Sequence, residues 1–206
     1  MNRSLSIVPT LLVAALAVAS AQTISMSAAH AVPLTFVGNL SGANEVPAVV
    51  SPGTGLATVV LDPTAQTIQI NVTFSGLTSN DTAAHIHCCA PLGTNAPVAT
   101  AVPAFPGFPL GVTSGTYSSA VFDLTQATIY NPAFITMLGG IPQAEAALIG
   151  GIQNGMTYLN IHTVNFPGGE IRGQLIATPE PASIVLLGSG LVGLLLTRRR
   201  IRKSIF

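Results

Sequence analysis

From Thr67 to Phe74 polar and apolar residues alternate without a break: Thr67, Gln69, Asn71 and Thr73 on one side of an extended chain, Ile68, Ile70, Val72 and Phe74 on the other. A period of two belongs to a strand with one face buried and one face wet. The segments "LTFVGNL", "GLATVVLD", "TAAHIHCC", "GTYSSAVFDL", "MTYLNIHTV" and "GEIRGQLIA" read as further strands, separated by turn signals of Gly, Pro, Asn and Asp. Short strands at this spacing predict a mainly β fold, an antiparallel β-sandwich. One stretch departs from the pattern. Between Gln126 and Gln153, "PQAEAALIGGI" places Pro142 where a first helical turn accepts it and Gly150-Gly151 where a helix would end, so one or two short helices are expected before the last strands. The run "APVATAVPAFPGFPLG" is expected to be a long loop with freedom to move.

The two ends carry a different pattern. Residues Met1 to Arg3 lead into the apolar run "IVPTLLVAALAVASA", with small-x-small patterns at Ala19–Ala21 and Ala29–Ala31, so residues 1–31 read as an export signal cut after Ala31. A retained membrane helix is the weaker alternative, because the run is short and closes in small polar residues. At the other end "TPEPAS" is followed by the apolar "IVLLGSGLVGLLLT" and then by "RRRIRK". Basic residues beyond an apolar helix stay in the cytoplasm, which holds the preceding domain on the side to which the export signal delivers it. "GSGLVG" inside this helix fits a dinucleotide-binding spacing, but no strand precedes it.

The order Pro179-Glu180-Pro181, apolar helix and Arg198-Arg199-Arg200 resembles the PEP-CTERM sorting signal of exported bacterial proteins. That resemblance implies a partner, an exosortase-type processing enzyme. It also implies a precursor held transiently in the inner membrane by its C-terminal helix, and a product released or attached at the surface of a Gram-negative bacterium. The alternative is a permanent anchor, although about sixteen apolar residues rise only about 24 Å against a hydrocarbon core of about 30 Å. The chain thus divides into a signal peptide (1–31), one β domain (32–177) and a sorting tail (178–206).

Charge supports this division. The formal net charge of the 206 residues is zero, yet all basic residues but one, Arg172, lie in the terminal segments. Six acids, Glu45, Asp62, Asp81, Asp123, Glu145 and Glu170, stand against that single arginine within the domain. Nucleic acid is excluded as a partner, because phosphate neutralisation needs clustered Lys and Arg.

Candidate chemistry is concentrated in "HIHCC", His85 to Cys89, and in "YLNIHT", which carries His162. On a strand His85 and His87 share a face, about 6.5 to 7 Å apart, and Ile86 takes the other. His162 lies opposite Leu159 and Ile161, while Glu170 and Arg172 share a face of the last strand. His30 would leave with the signal peptide, so every histidine of the domain is in these two motifs. One reading is a Cu or Zn site formed by His85, His87 and His162. The other is a structural polar cluster in which the histidines hydrogen-bond Asn160, Thr163 or backbone and Arg172 pairs with Glu170. Cys88 and Cys89 read as two buried thiols, as thiolate ligands or as a vicinal disulfide, and export favours oxidation.

"LTFVGNLSGANEVPAV", "AAHIHC" and "YLNIHTVNFPGGEIRGQL", in this order, resemble the landmarks of the CHRD domain, named after chordin and also present in exported bacterial proteins. The resemblance covers about Pro33 to Ala177. It implies an all-β sandwich with Glu45, Glu170 and Arg172 beside the three histidines as signature positions, and it brings no catalytic activity. The function expected first is a non-enzymatic surface or matrix protein, with surface polysaccharide or matrix components as partners. A metal-binding module is the alternative, and a copper-dependent redox enzyme comes third. No nucleophile elbow, Walker loop, HExxH or CxxC pattern supports catalysis.

Overall fold

Residues 32–178 are described by the computed structural model. The predicted export signal and the sorting motif from Pro179 to Arg200, with the apolar helix expected within it, lie outside them. Where the alternation is cleanest the strands are longest: β1 (Leu34–Ser41), β2 (Thr54–Asp62) and β3 (Thr67–Ser75) form an antiparallel meander in which Ile68, Ile70, Val72 and Phe74 are all buried. β4 (Asp81–Cys88) comes next in the chain. The predicted strand "GTYSSAVFDL" is split into β5 (Gly115–Ser118) and β6 (Phe122–Asp123), both paired with β3. β7 (Thr157–Thr163), β8 (Ile171–Gln174) and β9 (Ile176–Ala177) close the chain.

The fold is mainly β and antiparallel, as the sequence predicts. Its nine strands form one strongly curled sheet with the order β4-β7-β8-β1-β2-β3-β5, β6 lying on β3 and β9 on β1. The curl brings Phe36 and Leu40 of β1, Val59 of β2, Ile86 of β4 and Leu159 and Ile161 of β7 into one buried apolar cluster. β8 can approach β1 only as glycine: a Cβ on Gly173 would lie 2.7 Å from the Asn39 carbonyl oxygen.

Two short helices precede the last strands, α1 (Pro132–Leu138) and α2 (Ile141–Gln153). Asn131 caps α1 by accepting the Ala133 N–H at 3.0 Å, and Gly139, in the left-handed region at φ 91°, ends it. Pro142 sits in the first turn of α2 as expected. The helix does not stop at Gly150-Gly151, however; it runs to Gln153 and places Ala144, Leu148 and Ile152 in the core. Gly151 has a packing role instead, since a Cβ there would lie 2.5 Å from Cys88 Sγ and 3.0 Å from Cys89 Sγ. The Pro-rich segment is a loop, and it is pinned down by Phe105 and Phe108, which enter the core and pack on Tyr117 with ring centroids 6.0 and 5.1 Å away.

Among the described residues no single helix is long and apolar enough to cross a membrane.

Candidate metal centre

β4 and β7 place the histidines together. In their antiparallel register His85 stands opposite Asn160, His87 opposite Tyr158 and Ala83 opposite His162. Directly opposed residues share a face, so His85, His87, Tyr158, Asn160 and His162 all project from the side of the sheet that Ile86, Leu159 and Ile161 do not use. β8 extends the row, with Arg172 opposite Asn160 and Gln174 opposite Tyr158.

This second face is polar and yet buried: His85, His87 and His162 are 5%, 8% and 7% exposed. Three irregular segments cover it. The turn after β1 brings Asn44 and Glu45, the loop after β4 brings Asn95, Ala96 and Pro103, and the turn before β8 brings Pro167 and Gly169.

The three rings converge. His85 lies 4.8 Å from His162 and 5.6 Å from His87, centroid to centroid, and His87 lies 5.7 Å from His162. One ring nitrogen of each falls within 4.8 Å of the other two. The buried nitrogens without a hydrogen-bond partner are His85 Nδ1, His87 Nε2 and His162 Nε2. The opposite nitrogens are occupied: His87 Nδ1 bonds the Ala96 carbonyl at 2.8 Å and His162 Nδ1 bonds the Pro167 carbonyl at 3.0 Å. A carbonyl only accepts, so these Nδ1 atoms carry the hydrogen and the Nε2 atoms keep free lone pairs turned inward. Backbone carbonyls orient metal-binding imidazoles in this way.

Electrostatics keeps the rings neutral, the form that ligates. Burial lowers the His85 pKa to about 3, helped by the neighbouring His162 and His87 and opposed by a hydrogen bond with the Pro103 carbonyl. His87 is lowered to about 4, again chiefly by burial, with the Ala96 bond opposing and His162 and Arg172 adding to the shift. Burial also lowers His162, against the pull of its Pro167 bond.

Around the pocket, Tyr158 stacks on His87 with ring centroids 4.7 Å apart, and the Arg172 guanidinium lies over the Tyr158 ring, 4.5 Å from its centroid. Arg172 donates to the Asn44 carbonyl and, at 2.7 Å, to Asn95 Oδ1.

The ion pair expected between Arg172 and Glu170 is not formed. Arg172 faces Glu45, with Nε 3.9 Å from Oε2. Burial raises Glu45 to a pKa of about 7 despite the Arg172 charge and a hydrogen bond from Asn160. Glu170 is taken by other donors: Ser51 Oγ at 2.6 Å, Thr163 Oγ1 at 2.6 Å and Thr78 through N at 2.7 Å and Oγ1 at 3.0 Å. Burial pushes the Glu170 pKa upward, but these four bonds outweigh it and hold the carboxylate below its ordinary range. Glu170 therefore ties the start of β8 to β7 and to the segments before β2 and β4.

The histidines bond backbone, not the Asn160 or Thr163 side chains. Cys88 and Cys89 are joined to each other by a disulfide whose sulfurs face Ala147 and Gly151 of α2. Cys88 belongs to the apolar core, on the face away from His87, so a role as thiolate ligand beside the histidines is ruled out by its placement. The sequence reading did not single out Tyr158 or Asn95, nor Asn160 as part of the site. Alternation along "YLNIH" carried the signal for Tyr158 and Asn160, since both are in phase with His162.

The model of the CHRD domain matches residues 36–175, from β1 to Leu175, including all three histidines, Glu45, Glu170 and Arg172. The chain belongs to the CHRD-domain family. Directly after the CHRD domain, the PEP-CTERM protein-sorting motif matches residues 177–200. That motif implies exosortase-type processing, hence an exported protein with a transient membrane-anchored precursor. No curated protein and no solved structure matches the chain.

Proposed function

We propose that this CHRD domain is a non-enzymatic metal-binding module, holding Cu or Zn through His85, His87 and His162, and that export and exosortase-type processing place it at the surface of a Gram-negative cell. The observation that carries the reading is that three buried imidazoles each bring a ring nitrogen within 4.8 Å of the other two, and each keeps one buried nitrogen without a hydrogen-bond partner. An unpaired buried polar atom is costly, and three in one pocket are relieved together by one cation. Imidazole suits both Zn and Cu. Binding rather than turnover is supported by closure: each of the three nitrogens is out of contact with solvent, beneath the loops that carry Ala96, Pro103 and Pro167. A domain tethered among surface polysaccharide or matrix components would there sequester or carry the ion.

Titrating Zn(II) and Cu(II) into the purified protein while following its melting temperature tests this reading. At a free metal concentration one hundred times the dissociation constant the fold should gain about 2.7 kcal/mol. One equivalent should saturate the shift, and His87→Ala and His162→Ala should each abolish it. A shift that either variant leaves intact, or none in the unmutated protein, would show that the histidines are a structural strand end.

A further inference from the structure

Five of the buried side-chain atoms that lack a partner lie in this one polar layer: the three imidazole nitrogens, Asn160 Oδ1 and Glu45 Oε1. Asn160 is 2% exposed and sits at the centre of the row, directly opposite His85 on β4, directly opposite Arg172 on β8, and two positions before His162 on the same face of β7. Opposed Cβ atoms in an antiparallel pair are about 4.5 to 5.5 Å apart, so the carboxamide is within reach of the pocket. Its carboxamide shares a hydrogen bond with Glu45 and lies against the turn before β8, where a Cβ on Gly169 would come within 2.8 Å of both Asn160 Oδ1 and Glu45 Oε1. The amide oxygen is buried there without a hydrogen-bond partner.

The chemistry of these inward atoms is one-sided. With Nδ1–H of His87 and His162 committed to carbonyls, the free nitrogens are acceptors, and so is the Asn160 oxygen. A trapped water donates only two hydrogens and would leave acceptors unsatisfied; a cation satisfies all of them at once.

We propose that Asn160 is the fourth donor of the pocket, through Oδ1, and that the pocket consequently selects a divalent first-row ion in an N3O set over Cu(I). This rests on the metal-binding reading above and specifies it further. A neutral amide oxygen is a hard ligand: it adds little for soft Cu(I), which two or three imidazoles already satisfy, and it completes the four-coordination that Zn(II) adopts.

The experiment uses the full-length protein in detergent at neutral pH. Zn(II) and Cu(I) affinities are read by competition with chromophoric chelators, and the ligand set by the visible spectrum of the Co(II)-loaded protein. Asn160→Ala should weaken Zn(II) by at least about tenfold, the scale seen when a supporting ligand is lost. It should also change the Co(II) bands while Cu(I) affinity moves less than about twofold, since soft-ion binding rests on the imidazoles. Asn160→Asp keeps the shape and supplies an anionic oxygen, so it should bind Zn(II) more tightly than the unmutated protein and shift the Co(II) bands in its own way. Should Asn160→Ala fail to fold, as judged by circular dichroism, Asn160→Asp decides alone: unchanged Zn(II) affinity and an unchanged Co(II) spectrum overturn the proposal. If the unmutated protein binds neither Zn(II) nor Co(II), the metal reading itself falls and this inference with it. If binding is present and lost in His162→Ala but indifferent to both Asn160 variants, only the fourth donor is refuted.

Discussion

Three imidazoles buried side by side must stay neutral, and that requirement makes the stability of the metal-free fold depend on pH. The folded pKa is about 3 at His85 and about 4 at His87, and it is lowered at His162 as well, against 6.5 for a free imidazole. Between pH 6.5 and about 4 the unfolded chain therefore binds protons at positions where the folded chain excludes them, and stability falls as pH falls. Each fully titrating group contributes about 1.4 kcal/mol per pH unit over that window. Glu45 opposes this, because its pKa is raised from 4.5 to about 7 in the fold. Its stabilisation is complete below pH 4.5 and is lost as pH rises through 7, so in the shared window His85 and His87, with His162 pulling the same way, outweigh one carboxyl. The urea midpoint of the metal-free protein should thus decrease from pH 6.5 to pH 4.5, and His85→Asn should make that slope shallower by about one proton. A midpoint that stays flat or rises toward pH 4.5 would mean that the imidazoles are not buried as neutral groups.

At the level of single elements, β3 tests the register. Ile70 is fully buried, whereas Gln69 is half-buried on the opposite face and donates to the Ser119 carbonyl at 3.2 Å. Ile70→Asp places an unpaired carboxylate in the core and should unfold the domain, a loss above about 3 kcal/mol, while Gln69→Asp should cost about 1 kcal/mol or less. Equal melting-temperature losses for the two would show that the strand is shifted by one residue. Such strands were legible in the sequence because burial on one face imposes a period of two on neighbouring residues. The site was legible only in part. "HIH" and "NIH" put the histidines on common faces, but which strand lies beside which is decided by the curl of the whole sheet, and Glu45, Ala96 and Pro167 arrive from loops with no periodicity. Proximity in sequence suggested Arg172 with Glu170; the turn after β1 instead delivers Glu45 to the guanidinium, and three hydroxyl side chains claim Glu170. Gly150-Gly151 read as a helix stop for the same reason, since a glycine needed for close packing looks like a glycine needed for termination. The pair separates these roles. A Cβ at Gly150 meets nothing within 4 Å, and one at Gly151 runs into the Cys88 and Cys89 sulfurs. Gly150→Ala should therefore stabilise the protein by about 0.5 to 1 kcal/mol through helix propensity. Gly151→Ala should destabilise it by about 1 to 3 kcal/mol through overpacking. Thermal melts giving both substitutions the same sign would refute the assignment.

For the molecule as a whole, the junction between domain and tail determines what processing leaves behind. β9 pairs with β1, Phe36 opposite Ala177 and Val37 opposite Ile176, and Thr178 makes two further bonds to the Thr35 carbonyl, each 2.9 Å. The match to the PEP-CTERM protein-sorting motif begins at residue 177, where this pairing ends. A cut beyond Thr178 consequently removes the apolar run and the Arg cluster without breaking any strand pair among the described residues, whereas a cut before Ile176 would strip β9 from the sheet and expose that edge of β1. Selection for a folded product therefore favours cleavage just past Thr178. Intact-mass measurement of protein released from the cell surface should give a product of about residues 32–178, with any extra mass on its C-terminal end marking attachment. It should melt at the same temperature as the unprocessed chain, since all nine strands found among the described residues lie within residues 32–178. Recovery of the full-length chain in the inner membrane as the stable form, or a product ending before Ile176 that melts at an unchanged temperature, would contradict this account of how the domain is delivered.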